Sequence, residues 1–129
     1  MKKQLIIVGI TLLLLFVLFS GCTNNNDNAD KNTINLSWSG KWNTDWDGVE
    51  TNMTLNQEAD GTVTGTYSYS TITGTIQGTV NGYNLTGIST EQGNDYPIIF
   101  TMNPDGQSFT GKWYSGTTQR GIWNGIRSK

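Results

Sequence analysis

The sequence has no histidine, one cysteine and two prolines. Without His there is no Ser-His or Cys-His nucleophile pair and no imidazole-ligated zinc. A single Cys, Cys22, allows neither a disulfide within the chain nor a redox dithiol. Charge is sparse, at 14 % of residues, and scattered, with no basic or acidic block. Lys2 and Lys3 aside, six basic side chains face ten acidic ones, a net charge near −4. Such a surface repels phosphate backbones, so no nucleic-acid partner is expected. From Ile34 onward no apolar pattern of helical period occurs, so no phosphate-cradling loop opens a helix.

A long apolar run does occur, at the amino terminus. Lys2 and Lys3 precede an almost unbroken hydrophobic stretch from Leu5 to Phe19, followed at once by Ser20-Gly21-Cys22. A run of about 15 residues is short for a membrane span and has the flanks of an export signal. Phe19-Ser20-Gly21-Cys22 resembles the lipobox of prokaryotic lipoproteins, with Phe19 in place of the usual Leu. The resemblance implies cleavage before Cys22, lipid on its thiol, and an extracytoplasmic protein anchored in the cell membrane. Acyl chains contribute about 0.8 kcal/mol per buried methylene, so two or more give stable anchoring. Residues 1–21 are thus read as signal peptide. Residues 22–33, dominated by Asn and Asp, cannot bury a core and are read as a polar tether.

Residues 34–129 form the remaining domain. Thr, Val, Ile, Tyr and Trp dominate it, with Gly recurring every few residues, which is strand-and-turn composition. One phrase repeats: apolar, any, Gly, any, apolar. It occurs at Trp38-Ser39-Gly40-Lys41-Trp42, Val63-Thr64-Gly65-Thr66-Tyr67, Ile72-Thr73-Gly74-Thr75-Ile76 and Phe109-Thr110-Gly111-Lys112-Trp113. Positions two apart on a strand share a face, so each phrase turns its apolar residues and its Gly inward. Inward glycines permit sharp curvature. Eight strands are predicted, at 34–43, 50–57, 63–69, 72–80, 83–89, 96–102, 107–114 and 120–127. Joined by hairpins, they suit an all-β, antiparallel, up-and-down eight-stranded barrel, with a two-sheet sandwich as the alternative.

Turn chemistry sets the expected register. A turn at Asn81-Gly82 pairs Val80 with Tyr83. A loop at Ala59-Asp60-Gly61 sets Leu55 against Gly65 and Met53 against Tyr67. A turn at Ser70-Thr71 sets Tyr69 against Ile72. A loop at Asn103-Pro104-Asp105-Gly106 sets Phe100 against Phe109 and Tyr96 against Trp113. In the last strand either Ile122 and Ile126 or Trp123 points inward.

These strands leave longer connections, 44–49, 90–95 and 115–119, at one end of the barrel. Barrel mouths and loops on a rigid scaffold favour binding. Thr44, Trp46, Tyr67, Tyr69, Tyr96 and Trp113 are therefore the candidate ligand-binding residues. Two acidic pairs, Asp45 with Asp47 and Glu91 with Asp95, lie in these connections. They read as solvated loop acids, with a weak cation site or glycosidase-type chemistry as minor alternatives. No catalytic residue, metal ligand or cofactor is assigned. Sequons at Asn35, Asn52 and Asn84 show only that glycosylation is possible.

Gly40-Lys41-Trp42, Asn52-Met53-Thr54 and Thr64-Gly65-Thr66-Tyr67 together resemble the first three strands of avidins and streptavidins, over about 35 residues. The resemblance implies an eight-stranded calycin-type barrel and biotin as ligand, with Tyr67 matching a tyrosine that bonds the ureido oxygen. Thr44 stands where that family has Asn, and Tyr69 where it has a small polar residue. The expectation is a non-catalytic barrel binding a small molecule or glycan at its mouth. The alternatives are a structural envelope lipoprotein with a filled barrel, or a hydrolase using loop carboxylates.

Overall fold

The computed structural model describes residues 36–129. The expected signal peptide and tether, Cys22 and the Asn35 sequon lie outside the described residues. Eight strands follow one another: β1 (Gly40–Trp46), β2 (Val49–Gln57), β3 (Thr62–Tyr69), β4 (Ile72–Asn81), β5 (Asn84–Glu91), β6 (Asn94–Met102), β7 (Ser108–Ser115) and β8 (Thr118–Arg127). Each pairs antiparallel with its sequence neighbours, and β8 returns to β1, so the ladder closes into an up-and-down barrel. This is an architecture compatible with a calycin-type fold, and closure leaves no exposed strand edge.

The glycine phrase does what its spacing requires. Leu55 faces Gly65, Met53 faces Tyr67 and Tyr69 faces Ile72, as the turns at 59–61 and 70–71 demand. Gly74 sits directly beneath the Tyr67 ring, where a Cβ would lie 2.2 Å from Cζ. The wall can therefore approach the ring only because that position carries no side chain.

Two hairpins differ in detail from the expected register. The β4–β5 turn is Gly82-Tyr83, one residue later, so Asn81 pairs with Asn84 and Val80 with Leu85, while Tyr83 lies exposed at the tip. Packing decides this: the shift sets Gly78 against Gly87, where the two backbones approach closely. In β6–β7, Asn103 N–H donates to Ser108 O and the loop runs to Gln107. Met102 then faces Phe109, Phe100 faces Gly111 and Ile98 faces Trp113. The Phe100 ring uses the space that Gly111 leaves. Both slips are by two residues, so the inward face is unchanged.

The first strand begins later than expected, at Gly40, and runs on to Trp46. Residues 36–39 instead cross the base of the barrel, and Trp38 plugs it at 0 % exposure, against Trp42, Phe100 and Phe109. Gln57 Oε1 accepts the Trp38 N–H at 2.9 Å, and Trp38 O accepts the Trp42 Nε1–H at 2.9 Å. Arg127 fastens this plug: its guanidinium donates to Ser37 O, Ser39 O and Gly106 O while lying 4.3 Å from the Trp42 ring. In β8, Trp123 points inward, and Ile122 and Ile126 lie outside.

Candidate functional site

At the end opposite the plug, every connection is a two-residue turn: 47–48, 70–71, 92–93 and 116–117. The longer connections expected at this mouth are not there. The local chemistry explains why. A two-residue turn that keeps the sheet's twist needs positive φ at its first central residue or at both; Asp47-Gly48 (49° and 87°) and Gln92-Gly93 (49° and 79°) supply it at both, and Ser70 (50°) and Gly116 (59°) at the first. The strands consequently extend to the rim, and Trp46, Glu91 and Asn94 belong to the ladder rather than to loops.

All six candidate residues meet here. Trp46 and Thr44 arrive on β1, Tyr67 and Tyr69 on β3, Tyr96 on β6 and Trp113 on β7. The Trp46 ring lies 5.5 Å from Tyr69, 5.5 Å from Trp113 and 5.7 Å from Trp123, and Tyr96 lies 5.7 Å from Trp113. Most of these pairs are edge-to-face, the arrangement that ring quadrupoles prefer. Between Trp46, Tyr67, Ser89, Tyr96, Trp113 and Trp123 the rings close up and leave no room for a water molecule.

Beneath and beside these rings sits a polar set. Thr44, Thr51 and Ser89 are the buried polar residues among those described. Thr44 Oγ1 contacts Thr51 Oγ1 and accepts the Trp123 Nε1–H at 2.9 Å. Glu91 turns inward over the mouth and accepts Tyr67 OH at 3.0 Å and Tyr69 OH at 2.7 Å. Burial, and then the hydrogen bond to the Glu91 carboxylate, raise both phenol pKa values, that of Tyr69 to about 12. The Trp46 Nε1–H is buried and has no partner. At the rim, Asp47 accepts the Trp113 Nε1–H at 2.7 Å and the Ile122 N–H at 2.8 Å, which orients the indole.

The two acidic pairs do not converge. Asp45 lies exposed on the outer wall and caps Gly48 N–H, whereas Asp47 holds Trp113. Glu91 is inside, and Asp95 accepts from Thr90 Oγ1 outside. No group of three His, Cys, Asp or Glu side chains able to hold a metal occurs among the described residues.

Sequence reasoning missed Thr51 and Ser89, read Glu91 as a solvated loop acid, and left the face of Trp123 open. The signal for Ser89 and an inward Glu91 was present in the phrase Leu85-Thr86-Gly87-Ile88-Ser89, which has an inward Gly but a polar residue in its final apolar slot; extending its alternation by two reaches Glu91. Comparison with known proteins finds no family model, no curated protein and no solved structure that matches this chain.

Proposed function

We propose that the protein is an extracytoplasmic lipoprotein, anchored through Cys22, whose barrel is non-catalytic and binds a small molecule or glycan at the aromatic mouth. The observation that carries the reading is the placement of polar groups. The base half of the interior is apolar, with Leu55, Val63, Leu85, Phe100, Met102 and Phe109 buried. The mouth half holds Thr44, Thr51, Ser89 and the tyrosine–Glu91 group instead. Buried hydroxyls and carboxylates cost free energy that an apolar filling avoids. The unpartnered Trp46 N–H supplies a donor for a ligand acceptor. The closed rings require Trp46 or Trp113 to swing aside on binding.

The finer reading is an avidin-like site with biotin as ligand. It is supported by the closed eight-stranded barrel and by Tyr67 on its inner wall. A second reading, a structural barrel without ligand, is favoured by the absence of space among the mouth rings.

One experiment separates these readings. Biotin and a fragment library are titrated into the labelled full chain in detergent, and the indole N–H resonances of Trp46 and Trp113 are followed. Ligand-dependent shifts at both, weakened by Tyr67→Phe, support binding. Indoles that no ligand moves would leave the structural reading. Intact mass of the membrane-extracted protein tests the anchor: the chain should begin at lipid-modified Cys22, and Cys22→Ser should abolish lipid labelling.

A further inference from the structure

The outer wall carries a concavity of its own, behind the strands that bear Thr44 and Thr51. An open groove of about 590 Å³ crosses β7, β8, β1 and β2, within the usual range of ligand sites, about 300–1,000 Å³. Its floor is set by strand register. Asn124, Asp45 and Glu50 stand in one row across the three strands, and Ile126, Asn43 and Asn52 in the next. A second concavity, about 370 Å³, continues from it and shares Thr110 and Asn124. At that junction the β7–β8 ladder has no paired residues between Phe109↔Gly125 and Lys112↔Ile122, and Gly111 N–H donates to Asn124 Oδ1 instead.

The residue choice is not what wall stability alone would select. Asp45 and Glu50 face each other directly across β1–β2, a like-charge pair that destabilises a ladder. No Lys or Arg lines the groove among the described residues. Three carboxamides, Asn43, Asn52 and Asn124, surround the pair, each with donor and acceptor side by side. Ile126, 59 % exposed, gives the floor an apolar step. Carboxamides match vicinal hydroxyls, an acid pair with no basic side chain in the groove matches an ammonium group, and an exposed aliphatic side chain matches the C–H face of a sugar ring. A peptide fits less well, because the closed barrel offers no free edge for strand addition.

We propose that this groove binds a glycan containing amino sugars, with Asp45 and Glu50 holding the amine and Asn43, Asn52 and Asn124 the hydroxyls. The groove shares the wall at Thr44 and Thr51 with the mouth, but its binding groups are the outward side chains of that wall, and the mouth is tested separately. The test uses the full chain in detergent, with a β-1,4-linked glucosamine hexamer, its N-acetylated counterpart, cellohexaose and spermine as probes. The glucosamine hexamer should shift the side-chain amides of Asn43, Asn52 and Asn124 and bind more tightly than the other three. The exposed double variant Asp45→Asn, Glu50→Gln, checked for an unchanged β circular dichroism spectrum, should bind it at least tenfold more weakly. Tyr69→Phe at the mouth should leave its affinity unchanged. Amides that no hexamer shifts would overturn the proposal. So would spermine binding as tightly as the hexamer, which would reduce the groove to bare charge, or cellohexaose binding as tightly, which would leave the acids without a role.

Discussion

Tyr67 and Tyr69 share one carboxylate, and a pH dependence follows from that. A free phenol titrates near pH 10, and in the folded protein that of Tyr69 is raised to about 12 and that of Tyr67 is raised as well. The native state therefore holds protons that the unfolded chain releases first. Stability from these groups is complete below about pH 10 and declines as pH rises toward 12. Denaturant midpoints measured at pH 9 and pH 11 should show this decline, and Tyr69→Phe should flatten it. Gly74 bears on the same pair. In Gly74→Ala the new methyl would force the Tyr67 ring aside and part its hydroxyl from Glu91. Overpacking of this kind costs roughly 1–3 kcal/mol, readable as a lowered denaturant midpoint, and the tyrosine absorbance titration should move back toward pH 10.

Asp47 shows how a single turn residue organises a hairpin. It takes a left-handed φ of 49°, and its carboxylate holds both the Trp113 indole and the Ile122 amide. Asn tolerates that backbone better than Ala, for which left-handed geometry costs roughly 1–2 kcal/mol. Asp47→Asn, which keeps one of the two acceptor oxygens, should therefore lower the melting temperature less than Asp47→Ala, which loses both and should loosen Trp113, seen as a red-shifted tryptophan emission. The elements were legible where glycine and alternation coincide. The β2–β3 and β3–β4 registers follow from Leu55, Gly65, Tyr69 and Ile72. They were not legible at the mouth, because Asp47-Gly48, Gln92-Gly93 and Gly116-Thr117 lie among other turn-forming residues such as Asp45, Asn94 and Ser115. Polar composition made these stretches look like loops, whereas the pairing Trp46↔Val49, Glu91↔Asn94 and Ser115↔Thr118 extends the strands to the last possible residue. The start of β1 was misplaced for a similar reason: Trp38 has strand-like spacing to Trp42, yet it packs as a plug held by Gln57.

For the molecule as a whole, alternation and inward glycines suffice for the barrel, since every pairing but the closing one joins consecutive strands. Residues 33–129 should accordingly fold alone. Circular dichroism of that fragment should show β structure without appreciable helix and one cooperative melt, and substantial helix would contradict the fold. The clustering of Tyr67, Tyr69, Tyr96 and Trp113 was legible from strand parity, and that of Thr44 and Trp46 from their place in the connection expected at 44–49. Whether those rings meet or stand apart was not, because it depends on how far the barrel wall lets them approach, as the space over Gly74 illustrates. Closure also gives the domain two unlike poles. Ser128 N–H donates to Lys41 O at 2.9 Å, so the chain enters and leaves side by side at the plugged pole, with the tight turns at the other. Joining the ends and cutting at Gly116-Thr117 would reverse this polarity while keeping every strand pair.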